Sequence, residues 1–347
     1  MKIKMQAENP VEWIALKMNL APLPLVETQI TFTTARAIMA AAELGFYEAI
    51  GKGSKSSEEV AKACNTNPYA TKHLLDALVG AAYLDCRDGK YSLKSRYHKW
   101  LLKESESNLI AKLRLQLLEW DWMTNLENFV RTGKSMDMHY TMKDPKEWEL
   151  YQEGMRDLSI NAAKELAGKI KLNKGATKML DIGGSHGLYS IELCKKNPGL
   201  KAVVLDLPDA IESASAIAKR YDKDNLVTYQ AGNALTDDLG NEQYDLVMIN
   251  NVVHHFNDEQ NNMLAKKVAK ALKPGGLYAI GDMIKLEKPG EGGVVGQTMS
   301  LYFAMTSSSG NWSQSDMQGW QKNAGLKLES PISLMSIPGY KLVLGRK

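Results

Sequence analysis

Cysteine is scarce in this sequence of 347 residues, which contains only Cys64, Cys86 and Cys194. These cysteines are odd in number and widely spaced, which excludes a paired disulfide framework and a CxxC metal-binding knuckle. Unpaired cysteines are typical of a reducing compartment, so we expect a cytoplasmic protein. The first eight residues also lack the apolar core of a secretion signal, in line with that expectation.

Long hydrophobic runs and a strong charge imbalance are missing as well. No stretch approaches the about 18 uninterrupted apolar residues that a membrane span needs, so we expect no membrane association. The net charge is only +3, from 43 Lys and Arg against 40 Asp and Glu, without the basic excess typical of nucleic-acid binders. The hydrophobic share of 44% is that of a globular protein, and the length predicts roughly two domains.

The N-terminal part of the chain has mostly helical spacing of its apolar residues. Ser56 and Glu59 form a capping-box pattern at the start of a short helix, and a second helix runs from Pro68 to about residue 84. A hairpin turned at residues 87–89 follows. Helix, helix and hairpin in this order predict a winged-helix domain over residues 1–104, followed by a helical bridge over residues 105–172.

After Lys178 the pattern changes to short apolar strands that alternate with helices. This alternation predicts an α/β fold with a Rossmann-like, doubly wound sheet over residues 173–347. The last two strands lie too close together for a helical crossover, so we expect an antiparallel C-terminal hairpin at the sheet edge. The predicted strands are 179–183, 202–207, 226–231, 244–251, 277–283, 326–333 and 340–345.

A glycine-rich turn joins the first of these strands to the next helix. It contains Gly183, Gly184 and Gly187 after Asp181, and glycines there let a ligand approach the backbone closely. Asp206 ends the following strand, where an acidic side chain can hold a ribose diol. The same residues are also compatible with a tight turn that binds no ligand and with an acid that only caps the next helix.

Taken together, these motifs resemble those of class I S-adenosylmethionine-dependent methyltransferases, and within them the small-molecule O-methyltransferases with an N-terminal winged-helix dimerisation domain. The order of the glycines differs from the GxGxxG of dinucleotide-binding folds. The resemblance runs from about residue 25 onward and is most specific over residues 154–159, 180–193, 206–209 and 244–259. It implies methyl transfer to a hydroxyl of a small aromatic metabolite and a homodimer formed through the N-terminal domain.

The resemblance also implies S-adenosylmethionine as the cofactor. The residues that match the cofactor-binding positions of the family are Asp181, Gly183, Gly184, Gly187, Asp206, Leu207, Asn233, Ala234, Asn250 and Ser159. Two of them depart from the family pattern, since Asn233 stands where an acid usually meets the adenine amine and Asn250 stands where plant members have Lys. The Asn233 carbonyl oxygen can still accept a hydrogen bond from that amine.

His254 and His255 lie in a predicted loop between a buried strand and a helix. A neutral imidazole there can take a proton from a hydroxyl, since the ordinary histidine pKa near ~6.5 suits neutral pH. In the family the first residue of this motif is the general base, and the two carboxylates that orient it match Asp282 and Asn311. Asn311 departs from the usual Glu, and an amide orients a ring without contributing charge. We expect no metal, because adjacent histidines rarely face one ion and no histidine follows His255.

The segments that line the acceptor pocket in the family contain aromatic residues and methionines here. Flexible methionines suit an irregular apolar ligand, while ordinary helix packing accounts for the same residues equally well. The resemblance assigns to this pocket Trp120, Trp122, Met123, Tyr140, Met155, His255, Tyr302 and Met305.

Alternatives to O-methylation stay open from the sequence. A winged helix also occurs in transcription regulators, but the second helix offers only Lys72 and His73 as basic groups among apolar residues. A recognition helix needs more groups that reach bases and phosphates, so we expect a small-molecule partner and no nucleic acid. Asn311 in place of Glu leaves open C-methylation, carboxylate methylation, and cofactor binding without transfer.

Overall fold

The computed structural model describes residues 7–136 and 138–347, and at Tyr140 it describes the backbone alone. The chain forms two compact units, one ending at Glu119 and the other spanning Trp120–Lys347. The boundary between the units falls inside the predicted helical bridge. Within the described ranges, no helix is long and apolar enough to cross a membrane.

The first unit is mainly helical and contains a small sheet. Its elements are α1 (Pro10–Lys17), α2 (Leu23–Leu25), a π-helical segment (Val26–Ile30), α3 (Thr31–Glu43), α4 (Phe46–Ile50), β1 (Ser54–Ser56), α5 (Ser57–Cys64), α6 (Pro68–Gly80), β2 (Leu84–Arg87), β3 (Lys90–Leu93), a 3-10 turn (Ser95–Tyr97), α7 (His98–Leu101) and the part of α8 (Ile110–Met123) that precedes Trp120. The three strands pair antiparallel in the order β1-β3-β2. The predicted order of helix, helix and hairpin is therefore confirmed.

Local signals explain the boundaries in this unit. The Ser56 hydroxyl accepts a hydrogen bond from Glu59 N at 3.3 Å, and the Glu59 carboxylate accepts one from Ser56 N at 2.7 Å, which confirms the capping box. Asp88 and Gly89 adopt φ values of 49° and 71°, the left-handed backbone of a tight hairpin turn. Leu78 on α6 is completely buried, so the apolar face of this helix packs into the core of the unit.

The second unit alternates strands and helices after three leading helices. Its elements are α9 (Leu126–Thr132), α10 (Met138–Thr141), α11 (Pro145–Lys169), β4 (Lys178–Ile182), α12 (Leu188–Lys196), β5 (Lys201–Asp206), α13 (Pro208–Tyr221), β6 (Val227–Ala231), β7 (Tyr244–Asn250), a 3-10 turn (Val253–His255), α14 (Asp258–Ala271), β8 (Leu272–Met283), α15 (Gly293–Thr306), α16 (Gln314–Asn323), β9 (Lys327–Ser333) and β10 (Tyr340–Arg346).

The seven strands form one sheet in the order β6-β5-β4-β7-β8-β10-β9. The first five are parallel, and β10 pairs antiparallel with both β8 and β9. This confirms the predicted α/β sheet with its antiparallel C-terminal hairpin. One detail differs from the prediction, since β8 already begins at Leu272. Tyr244 pairs with Leu272 and Leu246 with Leu277, so residues 273–276 form an irregularity within the strand.

Helices cover both faces of this sheet. Successive strand residues point to opposite faces, so Met179 packs against the cluster that contains Leu166 of α11, while Leu180 packs against the cluster that contains Leu264 of α14. Strand order reverses between β4 and β7, because the chain continues outward to β5 and β6 before it returns. The carboxyl ends of the strands at such a switch point form the crevice where α/β proteins bind ligands.

Candidate active site

The turn after β4 packs too closely for side chains. A Cβ on Gly183, which has a φ of 65°, would lie 2.7 Å from Val252 Cγ2, and a Cβ on Gly184 would lie 2.6 Å from the Asp181 carboxyl group. Gly187 has a φ of 69° and is the N-cap residue of α12. These positions require glycine, and the turn therefore brings bare backbone to the carboxyl end of β4.

Asp181 is buried beneath this turn. Its Oδ2 accepts a hydrogen bond from the Ser190 hydroxyl at 2.6 Å, whereas Oδ1 is buried without a hydrogen-bond partner. Burial raises the pKa of the Asp181 carboxyl to about 7. A buried carboxylate oxygen without a partner is costly, so this atom suits a donor or cation supplied by a ligand.

Asp206, the last residue of β5, is hydrogen-bonded to the glycine turn. Its Oδ2 accepts from Ser185 N at 2.9 Å and its Oδ1 accepts from Leu207 N at 2.8 Å. The N-cap of α13 is Leu207, so Asp206 is not the capping residue of that helix. Burial raises the pKa of Asp206, and each of its oxygens keeps a further lone pair for a ligand hydroxyl.

Asn233 and Asn250 use their side-chain oxygens within the protein. Asn233 Oδ1 accepts from Leu235 N at 3.0 Å, so it supports the turn after β6. Asn250 Oδ1 accepts from the hydroxyl of Tyr340, at the start of β10, at 2.6 Å. Both residues still line the cavity described next, and their NH₂ groups and remaining lone pairs are what they can offer to a ligand.

A cavity of about 610 Å³ lies at the carboxyl ends of the parallel strands, within the roughly 300–1,000 Å³ of small-molecule sites. The predicted cofactor residues that line it are Ser159, Asp181, Gly183, Gly184, Asp206, Leu207, Asn233, Ala234 and Asn250. Gly187 is not among the described lining residues and contributes through the turn that it ends. The structure therefore brings nearly all of this predicted set together around one cavity.

His186, which the sequence analysis did not single out, holds Ser159 in place. The His186 Nε2–H donates to Ser159 Oγ at 3.1 Å, while His186 Nδ1 accepts from Leu188 N at 3.2 Å. Ser159 Oγ in turn donates to Met155 O at 2.8 Å. Burial lowers the pKa of His186 to about 3, so the ring is neutral, and its two hydrogen bonds select the tautomer with the proton on Nε2.

His254 lies in the 3-10 turn after β7 and forms a buried pair with Asp282. Its Nδ1–H donates to Asp282 Oδ2 at 2.8 Å, and both side chains are almost fully buried. Asp282 Oδ1 accepts from Met283 N at 2.7 Å, which fixes the carboxylate at the end of β8. His254 Nε2 makes no hydrogen bond to any residue that the structure describes. The arrangement is a histidine oriented by an acid, with Nε2 available to accept a proton.

Two side chains that the sequence analysis missed hold the backbone of this turn. Val253 O accepts from Asn261 Nδ2 at 3.1 Å and from Trp312 Nε1 at 3.0 Å. Asn261 Nδ2 also donates to Phe256 O at 3.0 Å, and Asn261 is buried on α14. A polar residue on the apolar face of a predicted helix was the available signal for Asn261. The position of His254 is therefore fixed through its neighbours as well as through Asp282.

Asn311 lies next to the same turn but makes no hydrogen bond to His254 among the described contacts. Ser309 N donates to His254 O at 3.1 Å, and Trp312 contacts Val253, so the segment around Asn311 is attached to the turn on both sides. The Asn311 Oδ1 atom is buried and has no hydrogen-bond partner. Its predicted role as the second orienting group stays a prediction.

The sequence analysis missed three aromatic residues on one wall of the cavity, namely His139, Trp148 and Tyr151. His139 stacks on Trp148 with ring centroids 5.7 Å apart, and its Nε2 lies 3.2 Å from the Tyr151 hydroxyl. The His255 ring lies 4.5 Å from that of His139. Trp148, Tyr151 and Met155 recur at helical spacing on α11, which was the signal that could have found this face. All five residues line the cavity.

The predicted acceptor residues divide into two groups. Met155 and His255 line the cavity. Met305 is fully buried, and Tyr302 packs on Phe303, whose ring lies 4.8 Å from that of His254. The residues that the structure does not place on this cavity are Trp120, Trp122, Met123, Tyr302 and Met305, while the Tyr140 side chain is outside the described part of the chain. In the described residues, no group of three or more His, Cys, Asp or Glu side chains could hold a metal ion.

Comparison with known proteins identifies the family. The profile of the O-methyltransferase domain matches residues 121–327. A relative from Streptomyces sahachiroi, a 3-hydroxy-5-methyl-1-naphthoate 3-O-methyltransferase, is 23% identical over 317 residues, which cover 89% of this chain and 91% of the relative.

Solved structures agree with that match. A protein of Nostoc punctiforme PCC 73102 assigned as an O-methyltransferase is 25% identical with a TM-score of 0.81, covering 94% of this chain and 99% of the other. Human N-acetylserotonin methyltransferase, solved in complex with S-adenosylmethionine, is 18% identical with a TM-score of 0.81 over 99% of both chains. The chain therefore belongs to the O-methyltransferase domain family and is an S-adenosylmethionine-dependent O-methyltransferase.

Proposed function

We propose that this enzyme methylates a hydroxyl of a small aromatic acceptor, with His254 as the general base. The observation that carries the proposal is the buried pair of His254 and Asp282, with Nδ1 and Oδ2 2.8 Å apart. The pair lies beside the cavity, since His255, the next residue, lines it. A histidine oriented in this way suits removal of a proton from a hydroxyl.

The proton would pass to Nε2 of His254. Because Nδ1–H donates to Asp282, the ring is held in the tautomer that leaves Nε2 as the acceptor nitrogen. Once the ring is protonated, the adjacent carboxylate stabilises the imidazolium charge. S-adenosylmethionine, when bound, supplies the electrophilic methyl group. The remaining task of the cavity is to align the deprotonated oxygen and to exclude water.

The cavity residues fit the parts of the cofactor. Each carboxylate oxygen of Asp206 has a lone pair left for a ribose hydroxyl, and Asp181 Oδ1 is a buried acceptor without a partner, suited to the cofactor's ammonium group. Asn233 and Ala234, on the turn after β6, would contact the adenine edge. The donor and acceptor atoms on this cavity wall are therefore the ones that a charged nucleoside needs.

Cofactor affinity is expected to rise between about pH 5.5 and pH 7.5. Because the pKa of Asp181 is raised to about 7, its carboxyl is mostly protonated at the lower pH and ionised at the higher one. Only the ionised form attracts an ammonium group, so each pH unit below 7 should weaken binding up to about tenfold. Calorimetric titration with S-adenosylmethionine across this range measures the slope. An equally steep slope in Asp181→Asn would contradict the assignment.

The aromatic wall supports an aromatic acceptor. His139, Trp148, Tyr151 and His255 present rings and Met155 presents a thioether to the cavity, and planar ligands stack favourably on such surfaces. The Streptomyces relative named above for a hydroxynaphthoate supports the same class of acceptor. We therefore propose a phenol or naphthol as the methylated group.

The test is a product assay with S-adenosylmethionine labelled with ¹³C in its methyl group. The purified protein is incubated with a panel of phenols, naphthols and hydroxynaphthoates, and products heavier by one labelled methyl group are detected by mass spectrometry. The ¹³C chemical shift of the product then distinguishes an aryl methyl ether from a methylated ring carbon or a methyl ester. An enzyme that binds the cofactor but methylates the oxygen of none of these acceptors would overturn the proposal.

A second candidate is methylation of carbon or of a carboxylate by the same site. Asn311 favours it, because the side chain is uncharged and its buried Oδ1 makes no hydrogen bond. An orienting group without charge would help His254 less in taking up a proton, which would suit acceptors that lose a proton readily. The same chemical shift measurement separates this candidate from O-methylation.

We also propose a homodimer formed through the first unit, in the cytoplasm. The first unit exposes a series of large apolar side chains near its start, namely Val11, Trp13, Ile14, Met18, Leu20, Leu25, Ile30 and Phe32. Such a concentration favours burial against a second copy. Lys72 on α6 is paired with Asp76 at 2.6 Å, which supports a role for α6 other than nucleic-acid binding. The free cysteines suit a reducing compartment.

The double variant Leu20→Glu with Ile30→Glu is expected to be monomeric, because two charges would have to be buried in the interface. Val130→Glu is the matched control, since Val130 is 71% exposed but lies on α9 outside this apolar series. Light scattering after size-exclusion chromatography measures the mass of each variant. A monomeric wild type, or a double variant that is still dimeric, would argue against this interface.

A further inference from the structure

Residues 232–237, between β6 and β7, form a compact turn that we call the 232–237 turn. Asn233 O accepts from Thr236 N at 3.1 Å and from Asp237 N at 2.8 Å, and Asn233 N donates to Asp237 Oδ2 at 2.8 Å. A Cβ on Gly232 would lie 2.5 Å from the same Asp237 oxygen. The side chain of Asp237 therefore holds the amide side of the turn.

A lysine from a different element holds the carbonyl side. Lys267, on α14, donates from its Nζ to Ala234 O at 2.7 Å and to Leu235 O at 3.0 Å. The lysine is half-buried, and burial lowers its pKa, so the charge is partly removed from water and directed at these two carbonyls. Hydrogen bonds from a charged donor are stronger than neutral ones.

The two lysine-bound carbonyls belong to residues of the cavity wall. Ala234 and Leu235 both line the cavity, whereas Lys267 does not appear among its described lining residues. The backbone N–H of Ala234 makes no hydrogen bond within the described part of the chain. The carbonyl oxygens of Ala234 and Leu235 bind Lys267 of α14. The polar groups of the turn that can hydrogen-bond to a ligand are therefore this N–H and the Asn233 side chain.

We propose that Lys267 is a positioning residue for the cofactor. It holds the 232–237 turn in the conformation that binds the purine, and it does not contact the purine itself. The inference rests on the proposed placement of the adenine edge at Asn233 and Ala234, and not on the identity of the acceptor. Lys266, the neighbour of Lys267, is exposed and makes none of these contacts in the described structure, so it provides a matched control.

The test uses the full chain and two ligands that differ only at the purine edge. S-adenosylhomocysteine carries the purine amine, and S-inosylhomocysteine carries an oxygen in its place. For Lys267→Met we expect about tenfold weaker binding of S-adenosylhomocysteine, with a much smaller loss for S-inosylhomocysteine. Lys267→Arg should recover most of the affinity, because a guanidinium can donate to both carbonyls. Lys266→Met should bind both ligands as the wild type does.

The outcomes separate the inference from its premise. If the wild type binds the two ligands equally well, the purine amine does not contact this turn. That result would overturn the placement of adenine, and the inference with it. Unchanged binding by Lys267→Met, or an equal loss of affinity for both ligands, would overturn the role of Lys267 alone. Nonspecific damage to the structure would weaken the binding of both ligands to the same extent. If Lys267→Met does not fold, Lys267→Gln is measured in the same way, and its affinity losses for the two ligands are compared as before.

Discussion

Replacing His254 by alanine is expected to lower kcat about a thousandfold, because a positioned general base contributes roughly 10²–10⁴ to the rate. The variant loses His254 Nε2, which makes no hydrogen bond in the described part of the chain, and it keeps every residue that lines the cavity itself. The Kd for S-adenosylmethionine should therefore change by less than about twofold. Methyl transfer to an identified acceptor measures the first quantity, and calorimetry measures the second.

Two further variants serve as a control and as a test of the orienting acid. His73→Ala removes an exposed histidine on α6 in the other unit and should leave kcat unchanged. Asp282→Asn keeps the shape of the partner but not its charge, so its rate should fall between those of the wild type and of His254→Ala. Wild-type turnover by a folded His254→Ala would eliminate His254 as the base and direct attention to His255, which lines the cavity.

Replacing Asp206 by asparagine is expected to weaken S-adenosylmethionine binding about 10- to 100-fold, the usual size of a lost hydrogen bond to a charged group. Both carboxylate oxygens already accept a backbone N–H, from Ser185 and from Leu207. The amide has only one oxygen, so its NH₂ group must face one of these N–H donors. The variant therefore loses an acceptor for the ribose and also disturbs the glycine turn.

Calorimetry with S-adenosylmethionine and with S-adenosylhomocysteine tests this expectation, since both ligands carry the ribose. Asp224→Asn is the control, because Asp224 is exposed beyond the end of α13. Thermal melting without ligand reports whether Asp206→Asn still folds. Affinities within twofold of the wild type for both ligands would leave Asp206 with a structural role only.

The parts of the site that could be predicted from the sequence are those fixed by local signals. Asp181 and Asp206 end strands that are recognisable as apolar runs, and parallel strands bring their carboxyl ends to one edge. The glycines follow at once in the same motif. The pairing of His254 with Asp282 was predicted from the resemblance to the family, and the structure places their atoms within hydrogen-bonding distance.

The parts that could not be predicted depend on contacts between distant residues. Trp312 donates to Val253 O across 59 residues, and nothing in the local pattern of either residue indicates the contact. Likewise the close spacing of the last two strands predicts a hairpin but not which strand is inner. The structure places β10 beside β8 and leaves β9 at the edge, with Leu342 and Val343 of β10 fully buried.

The inner position of β10 has a consequence for how the enzyme assembles. Tyr340, at the start of β10, holds Asn250 on the cavity wall, although the two residues are 90 positions apart in the sequence. Contacts of such long range form late, because a long loop must close before they are made. A chain whose first five parallel strands have paired would thus still have an unfinished cavity. Cofactor binding should then favour chains in which β10 has inserted, so that the ligand acts as a check on complete folding.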